Sequence, residues 1–189
     1  MPISTGNRKV PYPNVSLIPI IDCANCAVCR RDCYAVRAYR LRATARNAWG
    51  RNSELAHRQP TEYWGMIAKY IQRHAPRFFR YHVAGDILHQ RYLDNMMELA
   101  HRHHNTRFMA YTKQFSLNYS GLPGNLCISF SRWPGDREID NGGLPQVWMQ
   151  DGTDDRVPDD AIKCSGYCGD CRICWYLNDI GRDVYIPKH

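Results

Sequence analysis

The stretch Phe78-Phe79-Arg80-Tyr81-His82-Val83-Ala84-Gly85-Asp86 decides the fold class. Residues 78–83 are rich in aromatic and β-branched side chains and read as a strand. The strand ends in Ala84-Gly85-Asp86, which places a small residue, a glycine and a carboxylate at its carboxyl end. Helical patterns flank it. Upstream, Pro60 and Thr61 open a helix with the apolar face Trp64, Ile67, Ala68 and Ile71, stopped by Pro76. Downstream, Tyr92, Leu93, Met96, Leu99 and Ala100 mark another helix. Residues 107–112 and 126–131 read as further strands, and residues 147–149 and 184–186 as short late ones. Helix and strand in alternation is the order of βα units. The expected class is therefore α/β, either a partial (β/α) barrel or an open, mostly parallel sheet.

Working further out, residues 15–21 form a short apolar stretch that reads as a strand despite Pro19. From Cys33 the pattern turns helical. Tyr34, Ala38, Leu41, Ala45 and Ala48 fall on one face, Trp49 extends it, and Gly50 is the expected stop. With 189 residues and 44% hydrophobic composition, a single α/β domain over residues 1–189 is expected. No apolar run is long enough to span a membrane.

Eight of the nine cysteines lie in two runs at opposite ends of this domain. The segment 23–33 carries Cys23, Cys26, Cys29 and Cys33, spaced C-x2-C-x2-C-x3-C. The segment 164–174 carries Cys164, Cys168, Cys171 and Cys174 in the reverse spacing, C-x3-C-x2-C-x2-C. Two quartets of thiols suit metal ligands better than core residues. The first run matches the spacing with which bacterial ferredoxins hold [4Fe–4S] cubes, except that Tyr34 stands where those have proline. Structural zinc is the alternative metal, although it usually takes two cysteine pairs a dozen or more residues apart. Disulfides suit small secreted chains, and residues 1–10 lack an apolar secretory segment. Reduced thiols and the cytoplasm are expected. Cys127, in Leu126-Cys127-Ile128-Ser129-Phe130, reads as a buried strand residue acting as a small hydrophobe.

The net charge is +7 and the pI about 9.0. Arg30, Arg31, Arg37, Arg40, Arg42, Arg46 and Arg51 form a basic belt that begins at the end of the first run and continues behind it. The belt can offset anionic thiolate clusters or bind phosphate, so nucleic acid is a candidate partner alongside an unidentified redox partner. Residues 151–160, with five aspartates, Gly152 and Pro158, read as a solvated acidic loop.

Ligands of α/β proteins bind at the carboxyl ends of strands. That makes Gly85 and Asp86, and Lys113 at the end of the next strand, candidate cofactor-binding residues. Asp86 can equally cap the following helix. His82 reads as a ligand, a proton carrier or a core histidine, and His101, His103 and His104 as a solvated helix end. Trp133, Trp148, Trp175 and Tyr176 would shield a cluster from water or belong to the core.

Several motifs together resemble a bacteriophage protein family called gene product 88: the early cysteine run with Cys33-Tyr34-Ala35, the strand Arg80-Tyr81-His82-Val83-Ala84-Gly85-Asp86, Thr112-Lys113, and the late run followed by Trp175. A phage origin implies the host cytoplasm. More distantly, the layout is similar to radical S-adenosylmethionine enzymes, which are partial (β/α) barrels. Cys29-Arg30-Arg31-Asp32-Cys33 matches half of their cysteine loop, with Val36 in place of the third cysteine, and Ala84-Gly85-Asp86 resembles their Gly-Gly-Glu turn. That resemblance implies S-adenosylmethionine as a cofactor. A cube bound by four cysteines leaves no open iron for it, so ligand count weighs against this reading. The expectation is a protein with two cysteine-ligated [4Fe–4S] clusters and a redox or electron-transfer role. The alternatives are a degenerate radical enzyme or a zinc-stapled nucleic-acid-binding module.

Overall fold

The strands are β1 (Asn14–Val15), β2 (Phe78–Tyr81), β3 (Arg107–Thr112), β4 (Leu126–Arg132), β5 (Gln146–Gln150), β6 (Ile162–Lys163) and β7 (Val184–Pro187). The computed structural model, which describes residues 3–187, joins them in an open seven-stranded sheet in the order β1-β2-β3-β4-β5-β7-β6. Every pairing between these strands is parallel. The open parallel sheet is the second of the two architectures expected from the sequence.

Alternation along the strands builds two cores. Phe79, Tyr81, Phe108, Ala110, Leu126 and Ile128 point to one face and pack with residues of three helices. These helices are α2 (Ala43–Arg58), α3 (Pro60–His74) and α4 (Gln90–Arg102). Phe78, Met109, Cys127 and Val147 point to the other face, under Trp175, Leu177 and Val184. Burying each large side chain here stabilises the fold by about 1.5–3 kcal/mol. The helices thus cover one face of the sheet, and the carboxyl-terminal cysteine segment covers the other.

The first predicted strand is shorter than expected. β1 holds only two residues, and the chain turns at residues 19–22. The helix expected from Cys33 to Gly50 is two helices: α1 (Tyr34–Leu41) and α2, separated by Arg42 in an extended conformation. Gly50 does not stop α2, since an added Cβ there would meet nothing within 4 Å and glycine is simply tolerated. The expected apolar face is also corrected. Tyr34 and Leu41 are 61% and 72% exposed, while α1 buries Ala35 and α2 buries Asn52, Ser53 and Ala56. Small and polar residues carry this packing, so hydrophobic periodicity points to the wrong stripe. α3 and α4 follow the sequence reading, α3 ending at Ala75 in the left-handed region just before Pro76.

Candidate functional site

The first cysteine run is held over the carboxyl edge of the sheet. The segment leading to it is stitched to the β2 turn: Leu17 N donates to Ala84 O at 2.9 Å, and Val83 N donates to Ser16 Oγ at 3.1 Å. Gly85 belongs to this seam. It has φ +80°, and a Cβ would lie 2.6 Å from Leu17 Cβ, so glycine is required for backbone packing. The buried Asp22 carboxylate then fixes the entry to the run, accepting from Ile18 N at 2.8 Å and pairing with His57 Nε2 at 2.8 Å. Ile20 and Asn25 adopt left-handed conformations that fold the loop back on itself. As a result Ile20 N–H donates to Cys23 Sγ at 3.2 Å, and Asn25 Nδ2 donates to Lys113 O at 2.6 Å.

Asp86 sits beneath this loop, fully buried, with both carboxylate oxygens accepting. Oδ1 takes hydrogen bonds from Ile87 N at 2.7 Å and Thr112 Oγ1 at 2.6 Å, and Oδ2 from Lys113 N at 2.9 Å. It therefore ties the end of β2 to the end of β3. It does not cap α4, whose N-cap is His89, with Nδ1 accepting from Tyr92 N at 3.3 Å. Burial raises the Asp86 pKa to about 6, against the opposing pull of these three hydrogen bonds. Lys113 Nζ is buried in an ion pair with Asp136, which also accepts from Trp133 N at 2.7 Å. The structure thus gathers Gly85, Asp86 and Lys113 at one edge, close to Cys23 and Cys29.

The second run lies against the face opposite α3 and α4. β6 delivers Cys164, whose N–H donates to Tyr185 O at 2.8 Å, and Gly166 N–H donates to Cys164 Sγ at 3.4 Å. Cys168–Cys171 forms the short helix α5. The Tyr12 hydroxyl holds it by donating to Cys168 O (3.3 Å) and Gly169 O (3.2 Å). Cys164, Cys168 and Cys174 pack on the core around Phe78 and Trp175.

Electrostatics group the thiols by run. Burial, helped by the neighbouring Cys26 and Cys33, raises Cys23 to about 12 and Cys29 to about 11, against the opposing pull of the Ile20 N–H on Cys23 and of Lys113 on Cys29. Burial first, and Cys168 and Cys164 after it, raise Cys174 to about 12 against a hydrogen bond from Tyr111, and Cys168 feels Cys164 and Cys171. Among the described residues, no three His, Cys, Asp or Glu side chains already converge as a metal-binding group. All nine cysteines are free thiols, and those of each run share one short segment of chain. Half-buried thiols with backbone N–H groups aimed at sulfur form a donor set that fits a thiolate-ligated metal.

Arg80, which sequence reasoning did not single out, stands between the runs. Its guanidinium carbon is 5.2 Å from the Tyr111 ring centroid, and its Nε is buried without a hydrogen-bond partner. Tyr34, Tyr111, Cys168 and Cys174 surround it, and Tyr34 in turn adjoins Cys33 and Cys23. Asp22, Asn25 and Asp136 were missed too. No residue spacing marks them, because their roles arise only where distant segments meet. Cys127 is buried, as expected, and touches Ser129 and Asn178 rather than either run. Trp148 and Trp175 are core residues. In the acidic loop, Asp154 is buried against Arg156 at 2.7 Å, while most of its neighbours are exposed.

The fold and this edge define an α/β protein built on an open parallel sheet, with cysteine-rich segments on its carboxyl edge and on one face. A family model described as gene product 88 matches residues 4–159, and the chain belongs to that family. The matched residues include the first cysteine run and end before the second. No curated protein and no solved structure matches the chain. Among the described residues, no helix is long and apolar enough to cross a membrane.

Proposed function

We propose that this chain is a redox protein in which Cys23, Cys26, Cys29 and Cys33 hold one [4Fe–4S] cluster and Cys164, Cys168, Cys171 and Cys174 hold another. The observation that carries the reading is the pair of cysteine quartets, the first with ferredoxin-like spacing, one at the carboxyl edge of the sheet and the other against one face. It also favours one cluster per run over the exchange of Cys33 and Cys164 between clusters. Such clusters supply reversible one-electron transfer. The protein's part is to hold and insulate them. Ile20 and Gly166 N–H groups donate to sulfur, Lys113 and Arg80 place positive charge beside the runs, and the aromatic cluster of Phe78, Tyr12 and Trp175 backs the second run on its core side. Reduced thiols suit a cytoplasmic setting, and the redox partner is a separate molecule.

A second reading, a degenerate radical enzyme, draws on the placement of the first run after β1 and of the Ala84–Asp86 turn after β2, at the same edge. Against it, the Asp86 oxygens already accept three hydrogen bonds, and four cysteines saturate a cube. The deciding measurement is iron and acid-labile sulfide in protein purified without air. About eight irons per chain are expected. Stoichiometric zinc without sulfide would overturn the iron reading. A change of the reduced cluster's paramagnetic signal on adding S-adenosylmethionine, abolished by Asp86→Ala, would favour the second reading instead.

A further inference from the structure

We propose that the surface formed by the first cysteine loop, α1 and the start of α2 is a binding site for single-stranded nucleic acid. Arg30, Arg31, Arg37, Arg40, Arg42, Arg46 and Arg51 are all exposed, and Asp32 is the one carboxylate between Cys23 and Ser53. Contacts hold the start of α2 against α1, with Arg46 Nη1 donating to Arg40 O at 3.3 Å and Tyr39 stacked on Trp49 at 6.2 Å. Apolar side chains are exposed among the arginines. Ile21, Val28, Tyr34 and Leu41 belong to this stretch, whereas Tyr167 and Ile180 are the other large apolar side chains prominent at the surface of the described residues.

Guanidinium groups bind phosphate oxygens in a bidentate manner and also stack on bases. Interleaved tyrosine and leucine offer faces to unpaired bases, which duplex DNA keeps stacked inside. Arg30 and Arg31, inside the cysteine run, suit charge balance, but a surface that only balanced cluster charge would not need Arg37, Arg40, Arg46 and Arg51 along α1 and α2, nor the exposed Tyr34 and Leu41. The inference therefore does not depend on which metal the cysteines hold.

The test is fluorescence anisotropy of metal-loaded, intact protein with a labelled oligothymidylate of about 20 nucleotides, the same length of duplex, and vesicles of phosphatidylglycerol and phosphatidylcholine. Saturable binding to the single strand is expected, weaker binding to the duplex, and a log–log salt slope of about −3 to −5 if most of the arginines meet a phosphate. The triple variant Arg37→Gln/Arg40→Gln/Arg46→Gln should flatten that slope by about 2. Arg73→Gln/Arg77→Gln/Arg91→Gln removes the same charge from exposed positions on and beside α3 and α4 and should leave the slope unchanged. Metal content and circular dichroism confirm that each variant is folded. Absence of saturable oligonucleotide binding, equal loss in the two triple variants, tighter binding to duplex, or binding to vesicles alone would each overturn the proposal.

Discussion

His82 gives the fold a specific acid sensitivity. It leaves β2 at φ +55°, and its ring is buried. Nε2 lies 2.9 Å from the Tyr92 hydroxyl, which lies 2.6 Å from the Tyr63 hydroxyl, while Nδ1 has no partner. A proton placed on Nδ1 would be buried with no acceptor, next to the positive charge of Arg80. Burial first, and Arg80 second, lower the His82 pKa from 6.5 to about 3. The folded value lies below the unfolded one, so the unfolded chain binds more protons across that window. The stability tied to neutral His82 is complete above the unfolded pKa and is lost as the pH falls toward the folded one. Between about pH 7 and about pH 5 the loss amounts to about 2 kcal/mol. His82→Asn removes the titration and suits the left-handed backbone. Urea unfolding of both proteins at the two pH values isolates the effect, because all other titrating groups are common to both. The wild type should lose about 2 kcal/mol more than the variant on acidification. Parallel pH dependence in the two proteins would refute the reasoning.

Gly85→Ala should destabilise the fold by about 2–5 kcal/mol in urea unfolding, combining left-handed strain with the clash against Leu17; a loss below about 0.5 kcal/mol would show that the seam gives way freely. Lys113→Met should cost about 3–5 kcal/mol by stranding the buried Asp136 carboxylate, and Lys113→Met/Asp136→Asn should recover much of it. If the double variant is no more stable than the single one, the ion pair is not what Lys113 contributes. Cys26→Ser or Cys171→Ser should remove roughly half of the bound iron, since each run holds its own cluster in this reading. Cys127→Ser should keep all of it, and metal loss in that variant would show that the ninth cysteine had been misread.

The sequence shows the sheet most clearly where side chains alternate between two faces that are both buried. Residues 107–112 read as a strand because Phe108 and Ala110 serve the helical face while Met109 serves the other, and the structure keeps those bounds. α4 is equally clear, since Tyr92, Leu93, Met96, Leu99 and Ala100 are all buried. α1 and α2 were misread for the complementary reason. Their buried positions are Ala35, Asn52, Ser53 and Ala56, and Asn52 packs by donating to Ser16 O at 3.1 Å, a contact that hydrophobic spacing does not register. β6 escaped notice because two residues, Ile162 and Lys163, carry no periodicity, and their strand exists only by pairing with β7. At the site, Gly85, Asp86 and Lys113 were legible as strand-end residues. That Asp86 is spent on joining β2 to β3 was not, because its partners come from the far side of α4.

Arg80 brings these points together. A strand residue on the face of Phe78 would ordinarily be apolar, as Met109 and Cys127 are. The polar choice is intelligible once both cysteine segments are in place, because the guanidinium then has Tyr34 and the first run on one side and Tyr111, Cys168 and Cys174 on the other. Arg80 is half-buried with its Nε out of contact with solvent, and a guanidinium so placed is favoured by nearby negative charge. Among the groups that surround it, the cysteine sulfurs can supply that charge, since enclosure of the Tyr34 and Tyr111 hydroxyls raises their pKa values and keeps them protonated. Burial also holds Cys174 and Cys168 as thiols. A metal that draws off their protons would therefore place negative charge beside Arg80 and remove the crowding of neighbouring thiols together. On the proposed reading, Arg80 on β2 is the cation that the ligated sulfurs of the second run would face.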